Sequence, residues 1–133
     1  MTPPKIFISR LIPSRGLDLV KEHFPTLEIW PHEMPPTREQ LLEKVRGVDG
    51  FLCTLTEKVD AELMDAAGPQ LKIISSMSVG VDHIDIAAAT ARGIPIGNTP
   101  GVLTDATADM AFALLLSSAR RVMEGEKYIR AGK

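Results

Sequence analysis

The chain carries SSMSVGVDHID at residues 75–85 and NTPGVLTD at residues 98–105, and each stretch follows a short apolar run that has the character of a strand. Each also ends on residues suited to begin a helix, namely Asp85 in the first and Thr104 or Asp105 in the second. Two successive passages from strand to helix indicate parallel strands joined by helices. In such sheets, small anions bind beyond the carboxyl ends of the strands.

The same alternation extends back to the start of the chain. Helical spacing of apolar residues predicts helices that begin near Pro13–Ser14, at a capping box of Thr37 with Gln40, and at Asp60. We therefore predict an α/β domain with a flavodoxin-like, doubly wound, five-stranded parallel sheet in the order 2-1-3-4-5. The predicted strands are Lys5–Ser9, Thr26–Trp30, Gly50–Leu55, Leu71–Ser75 and Ile94–Gly97.

The last predicted helix is unusually long and apolar. From Thr104 or Asp105 toward Arg130 it would extend ~39 Å at ~1.5 Å per residue. Its middle, Met110–Leu116, is apolar on every face, which is typical of a helix that is buried on all sides. We predict that a second domain or subunit covers it. The alternative is that this linker helix breaks near Gly125 and folds back on its own domain.

Composition excludes several classes of function. At 133 residues the chain fits one domain of ordinary size, and its net charge of −2 argues against a nucleic-acid or membrane surface. Its single cysteine, Cys53, lies within an apolar predicted strand, so we expect a buried core thiol and a reducing compartment. Without an apolar signal segment or a run long enough to span a membrane, we expect a cytoplasmic protein.

Two places are candidates for binding an anion. After the fourth strand, Ser78, Val79 and Gly80 form a loop in which glycine permits successive N–H groups to face outward and a ligand to approach the main chain. The alternative is an ordinary turn. The second candidate is the helix start at Thr104–Thr107, whose free N–H groups favour anions. Simple capping by Asp105 accounts for that pattern equally well.

Candidates for acid–base chemistry are few. His83 lies near the predicted loop, but a single histidine beside Asp82 and Asp85 is more often structural than catalytic. Metal-ligand spacings, a G-x-S-x-G motif and a G-x-G-x-x-G phosphate loop do not occur in the 133 residues. The residues alone therefore predict an anion-binding backbone, with no catalytic set and no metal site.

The order and spacing of four segments add a resemblance. IFISRLIP at 6–13, MSVGVDHID at 77–85, AAATARGIPIGNTP at 87–100 and VLTDATADMAFALLL at 102–116 resemble the D-isomer-specific 2-hydroxyacid dehydrogenases. Within that family the chain is most similar to the glyoxylate/hydroxypyruvate reductases. The resemblance implies a flavodoxin-like substrate-binding domain at 1–103 and an interdomain and dimerisation helix at 104–133, with the Rossmann cofactor domain absent from this chain.

The resemblance also implies roles for individual residues. Backbone amides at the positions of Val79 and Gly80, in the loop that begins at Ser78, would hold the substrate carboxylate. Leu55 would line the substrate pocket. Val79 and Thr104 would lie near the cofactor, which is NADP or NAD in the full-length parent.

The same resemblance implies what this chain does not do alone. The catalytic Arg, Glu and His of the family lie downstream, so we expect no catalytic residue here, no bound cofactor and no turnover by the isolated chain. The expected partners are a small 2-keto or 2-hydroxy acid, the missing Rossmann domain, and a second copy bound through the helix at 104–130.

Two other classes of function stay open. One is a stand-alone flavodoxin-like binding or signalling module, although the loop at 9–14 has no glycine to cradle a phosphate, and Ser9, Arg10 and Thr54 occupy the acidic positions of a phospho-receiver. The other is a structural role, in which the domain self-associates through the apolar helix around Phe112 and Leu115. That role is compatible with the dehydrogenase interpretation.

Overall fold

A computed structural model describes residues 2–133, which divide into two compact units at the bond between Pro100 and Gly101. The first unit alternates strands and helices, and the second contains two helices. In chain order the elements are β1 Lys5–Ile8, α1 Ser14–His23, β2 Thr26–Ile29, α2 Arg38–Lys44, β3 Gly50–Cys53, α3 Ala61–Ala67, β4 Ile73–Ser76, α4 Ile86–Ala91, β5 Ile96–Gly97, α5 Thr104–Ala119 and α6 Val122–Arg130.

The five strands pair in parallel in the order β2-β1-β3-β4-β5, which confirms the predicted flavodoxin-like sheet. In the pairing of β3 with β4, Cys53 lies beside Ser76, so the two strands end level with each other. The backbone pairing continues one residue further, where the Met77 N–H donates to the Cys53 carbonyl at 2.9 Å. The loops that follow β3 and β4 therefore begin side by side.

The hydrophobic core lies on one face of the sheet. Phe7, Phe51 and Ile74 are register neighbours on adjacent strands and are fully or almost fully buried. The rings of Phe7 and Phe51 stack with centroids 5.8 Å apart. Apolar side chains of α2, α3 and α4 complete this core cluster, among them Leu41, Leu63, Met64 and Ala89. On the opposite face Ile8 is fully buried, whereas Ile6 and Leu52 are half-buried and Ile73 is exposed.

Three predicted helix starts are confirmed by their capping bonds. Thr37 and Gln40 form the reciprocal capping box, in which the Thr37 N–H donates to Gln40 Oε1 at 2.9 Å and the Gln40 N–H donates to Thr37 Oγ1 at 3.3 Å. Asp60 caps α3 and Asp85 caps α4, each through a carboxylate that accepts a backbone N–H three residues on. These side chains satisfy donors that the helix itself leaves unpaired.

The predicted boundaries differ from the observed ones where an apolar residue closes a turn instead of entering the sheet. Strand β4 begins at Ile73 and not at Leu71, and β5 begins at Ile96 and not at Ile94. Both of the earlier residues are buried, but the Leu71 N–H bonds to the Gly68 carbonyl and the Ile94 N–H bonds to that of Ala89. The predicted β4 and β5 therefore begin too early, because an apolar residue that is buried in a turn looks the same in the sequence as one that is buried in a strand.

The predicted cap of the last helical region is wrong. Thr104 is already helical, so the N-cap residue of α5 is Leu103, whose apolar side chain has no atom that could accept a capping hydrogen bond. The Leu103 carbonyl accepts the first helical N–H, from Thr107, at 3.0 Å. Asp105 lies in the first turn, where its charge complements the helix dipole without capping it.

The prediction of one continuous helix to Arg130 is also wrong. The helix ends at Ala119, and Arg121 takes a left-handed conformation (φ 52°, ψ 41°) before α6 begins. The predicted alternative site of a break, Gly125, lies inside α6. A left-handed residue other than glycine costs about 1 kcal/mol or more. The Arg121 guanidinium offsets part of that cost by bonding Glu124 in the first turn of α6.

Among the helices of residues 2–133, none combines the length and the apolar character needed to cross a bilayer.

Candidate functional site

The loop Ser78–Gly80, called the amide loop below, follows β4 at the carboxyl edge of the sheet. Ser78 is buried, whereas Val79 and Gly80 are exposed. Each of the three carbonyl groups of the loop accepts a hydrogen bond. The Thr99 N–H donates to the Ser78 carbonyl at 2.8 Å, Asn98 Nδ2 donates to that of Val79 at 2.8 Å, and Ser78 Oγ donates to that of Gly80 at 2.7 Å.

These bonds fix the direction of the N–H groups of the loop. In a trans peptide the carbonyl and the N–H of the same plane point opposite ways, and residues 2–133 contain no cis peptide bond. The direction of the Ser78 carbonyl therefore determines the direction of the Val79 N–H, and the direction of the Val79 carbonyl determines that of the Gly80 N–H. Within the described part of the chain, neither N–H donates to a protein acceptor. Two aligned and unused donors next to each other suit an anion.

The conformation expected of Gly80 is not the one observed. The sequence predicts that glycine permits the outward-facing N–H groups here, but Gly80 is not among the residues with positive φ, so the observed backbone does not depend on glycine. A methyl group at this position would meet nothing closer than Asp82 Oδ2, at 3.6 Å. The fold itself therefore tolerates a side chain at Gly80. What glycine leaves is open space beside the free N–H.

Leu55 lies in the adjacent loop, after β3, and a buried acid holds that loop. The Glu57 carboxylate is 3% exposed and accepts three hydrogen bonds from the two threonines that flank Leu55. The donors are the Thr54 N–H at 2.7 Å, Thr54 Oγ1 at 3.1 Å and Thr56 Oγ1 at 2.7 Å. The Leu55 side chain is 65% exposed, and that of Val79 is 41% exposed. The two loops that begin side by side therefore present exposed apolar side chains as well as the free N–H groups.

Sequence reasoning missed Glu57, Ser76 and Asn98 as contributors to this edge. The signal for Glu57 was local, since its partners lie one and three residues before it. Asn98 lies 19 residues from the carbonyl it holds, so only the pairing of β4 with β5 reveals its role.

The structure places His83 beneath the amide loop and not at its surface. His83 Nε2 lies 3.0 Å from Ser76 Oγ and 3.9 Å from Cys53 Sγ. Cys53 is fully buried, which confirms the predicted core thiol. Burial raises the pKa of the Cys53 thiol to about 12.

We expect Cys53 to resist alkylation by iodoacetamide at pH 8 in the folded chain, because the reactive thiolate is scarcely populated below the raised pKa of about 12. Addition of guanidinium should expose the thiol and restore rapid labelling, and mass spectrometry measures the labelled fraction. The unfolded thiol loses its proton near pH 9.0, so the free energy of unfolding should fall as the pH rises above that value. Rapid labelling of the folded chain would contradict the buried position, and Cys53→Ala is the unlabelled control.

The described residues offer no complete cofactor or metal site. Across residues 2–133, His, Cys, Asp and Glu side chains form no group of three that could hold a metal ion. Thr104, predicted near a cofactor, is the first residue of α5 in the second unit. The 133 residues contain no G-x-G-x-x-G loop. A cavity of about 420 Å³ lies elsewhere, lined by residues of α3 and the turns near Gly68 and Arg92.

The parallel sheet in the flavodoxin-like order, with free N–H groups at its carboxyl edge, defines an α/β domain of the doubly wound class. The sequence model described as "D-isomer specific 2-hydroxyacid dehydrogenase, catalytic domain" matches residues 6–126. The chain therefore belongs to the D-isomer specific 2-hydroxyacid dehydrogenase family, as the resemblance in the sequence indicated.

Individual relatives agree with this assignment. Glyoxylate reductases of Thermococcus litoralis and Thermococcus kodakarensis are 53% and 51% identical to the chain over 130 residues, or 98% of its length. A crystal structure from Polaromonas sp., described as a D-isomer specific 2-hydroxyacid dehydrogenase, matches 98% of the chain with a TM-score of 0.87 and 34% identity. The chain spans 39% and 38% of the two reductases and 41% of the Polaromonas chain.

Proposed function

We propose that this chain is the substrate-binding lobe of an NAD(P)-dependent D-2-hydroxyacid dehydrogenase of the glyoxylate reductase type. The observation that carries the proposal is the pair of free N–H groups at Val79 and Gly80, each directed by a carbonyl that is itself held. Membership of the dehydrogenase family and the similarity to glyoxylate reductases support a 2-keto or 2-hydroxy acid as the ligand.

The amide loop would bind the carboxylate of such an acid. One carboxylate oxygen would accept the Val79 N–H and the other would accept the Gly80 N–H, so the plane of the substrate is fixed along with its position. A hydrogen bond to a charged group contributes about 1.5–3 kcal/mol. Because the donors are neutral main-chain groups, they supply affinity for the anion without a basic side chain. Leu55 and Ser78 complete this side of the pocket, Leu55 as apolar wall and Ser78 as support of the loop.

The lobe would contribute orientation and not proton transfer. Holding the 2-keto acid in one position removes part of the entropic barrier to the reaction. The nicotinamide cofactor, NADP or NAD, would supply the hydride when it is bound by a domain that this chain does not contain, with Val79 and Thr104 beside it. We therefore expect no dehydrogenase turnover from these 133 residues alone.

The second unit would contact partners. Five apolar side chains of α5 are each at least 60% exposed: Met110, Phe112, Leu114, Leu115 and Leu116. Apolar surface of this extent is typical of an interface. We propose that residues 104–130 bind the cofactor domain and a second copy of the protein, giving a homodimer.

Titration of the ¹⁵N-labelled chain with glycolate, followed by NMR, tests this function. The expected result is saturable shifts of the Val79 and Gly80 amides, with ethylene glycol, which lacks the carboxylate, giving none. Shifts confined to other residues would contradict the carboxylate site. In parallel, the natural full-length gene product should oxidise NADPH or NADH in the presence of glyoxylate, and the 133-residue chain should not. Turnover by the chain alone would overturn the assignment of a single lobe.

A further inference from the structure

Below the amide loop, a line of four polar groups leads from His83 to the Gly80 carbonyl. His83 Nε2 lies 3.0 Å from Ser76 Oγ, which lies 2.5 Å from Ser78 Oγ, which donates to the Gly80 carbonyl at 2.7 Å. We call these four groups the hydroxyl relay. Ser76 and Ser78 are 1% and 4% exposed, so water does not compete for their hydroxyls.

Counting protons fixes the direction of every bond in the relay. A carbonyl only accepts, so the single proton of Ser78 is committed to the Gly80 carbonyl. Ser78 must then accept from Ser76, which commits the single proton of Ser76 as well. Ser76 has no proton left for His83, so His83 Nε2 carries the proton and donates. The other ring nitrogen, Nδ1, is buried without a partner, which agrees with a ring that has its proton on Nε2.

We infer that His83 is a positioning residue for substrate binding, and that it acts by imposing one direction on the hydroxyl relay. The inference rests on the proposed function of the amide loop. With Nε2 as a donor, Ser76 can donate only toward Ser78, and Ser78 only toward Gly80. Without that donor, Ser78 is free to turn back and donate to Ser76. The Gly80 carbonyl then loses its bond, and the loop that presents the two free N–H groups loses one of its three supports.

His83 therefore has a use that does not require it to touch substrate. The relay runs in one direction, so each bond polarises the next and strengthens the one on the Gly80 carbonyl. The neighbouring Cys53 Sγ lies 3.9 Å from the same Nε2, and because that nitrogen carries its proton, the thiol does not donate to it.

The test compares three substitutions by NMR on the ¹⁵N-labelled chain. Long-range ¹H–¹⁵N correlation should find the His83 proton on Nε2 and none on Nδ1. His83→Leu removes the donor, and His83→Gln places an amide N–H near the Nε2 position. Ser75→Ala is the matched control, since Ser75 lies on the same strand next to Ser76 but outside the relay.

In His83→Leu, the Thr99 amide, which donates to the Ser78 carbonyl of the loop, should exchange with solvent faster. Glycolate affinity should fall about five-fold, as expected for the loss of one neutral hydrogen bond. His83→Gln should restore affinity to within about two-fold, because it retains the donor. Ser75→Ala should match the parent chain. A proton found on Nδ1 alone, or unchanged exchange of the Thr99 amide in His83→Leu, would overturn the relay.

The outcomes separate the relay from the function it serves. If the parent chain binds glycolate and His83→Leu binds it equally well, the relay is wrong and the proposed carboxylate site stands. If the parent chain does not bind glycolate, the proposed function fails, while the tautomer and the amide exchange still decide whether His83 directs the loop.

Discussion

Gly80→Ala should weaken the binding of glycolate at least ten-fold while leaving the fold intact. The new methyl group would occupy the open space beside the Gly80 N–H, where the nearest protein atom is 3.6 Å away, so it obstructs the ligand and not the protein. Loss of one hydrogen bond to a carboxylate corresponds to about 1.5–3 kcal/mol, or roughly 10- to 100-fold in affinity. Because Gly80 does not use a positive φ, the substitution brings no backbone strain of that kind.

Gly16→Ala is the matched control for this prediction. Its added methyl would also meet its nearest neighbour, Ile12 Cδ1, at 3.6 Å, and Gly16 lies inside α1. Both variants should unfold within about 1 kcal/mol of the parent. A helical Gly→Ala change such as Gly16→Ala is worth roughly that much, and the added methyl at Gly80 brings neither a clash with residues beyond its chain neighbours nor positive-φ strain. Only Gly80→Ala should lose glycolate affinity by NMR titration. Equal affinity in the two variants would exclude the amide loop as the carboxylate site.

Phe51→Ala should cost about 3–5 kcal/mol of the free energy of unfolding, as large-to-small changes of fully buried aromatic residues do. Phe51 is 1% exposed, stacks on Phe7 and lies beside Ile74 in the middle of the sheet, so no neighbour can close the space that it leaves. Domains are stable by only about 5–15 kcal/mol in total. We therefore expect a large fall in the midpoint of urea unfolding, measured by circular dichroism.

Phe112→Ala makes the same chemical change at a position that is 65% exposed. It should alter the free energy of unfolding of the dilute chain by less than about 1 kcal/mol, because little buried surface is lost. At high concentration the same variant should associate less than the parent, as read by analytical ultracentrifugation. A similar loss of stability in both phenylalanine variants would contradict the described core.

The sequence was sufficient to predict the elements that depend on local or repeating patterns. The capping box of Thr37 with Gln40 and the caps at Asp60 and Asp85 act over three residues, so the order of residue types reveals them directly. The sheet order followed from five alternations of strand and helix with short connections. The break at Arg121 was not predictable in this way, because arginine carries no preference for a left-handed conformation.

For the candidate site, too, the sequence revealed the features that depend on local patterns and not those that depend on tertiary contacts. Val79 and Gly80 could be placed at a strand end from the sequence, and their loop does lie at the carboxyl edge of the sheet. What directs their N–H groups was invisible, since Asn98 and Thr99 act from the neighbouring strand and the relay requires knowing which hydroxyls face each other. Sequence patterns indicate where a ligand can bind, and tertiary hydrogen bonds determine how.

Recognition of the substrate carboxylate by main-chain N–H groups, as we propose, would have a consequence for how the pocket can change over evolution. Nearly every point mutation at Val79 replaces the side chain and keeps the N–H, and only proline deletes the donor outright. The side chains of Leu55 and Val79 are thereby released from the task of holding the anion. Substrate preference can drift, or be redesigned, through those two side chains while the feature common to all 2-hydroxy acids stays recognised.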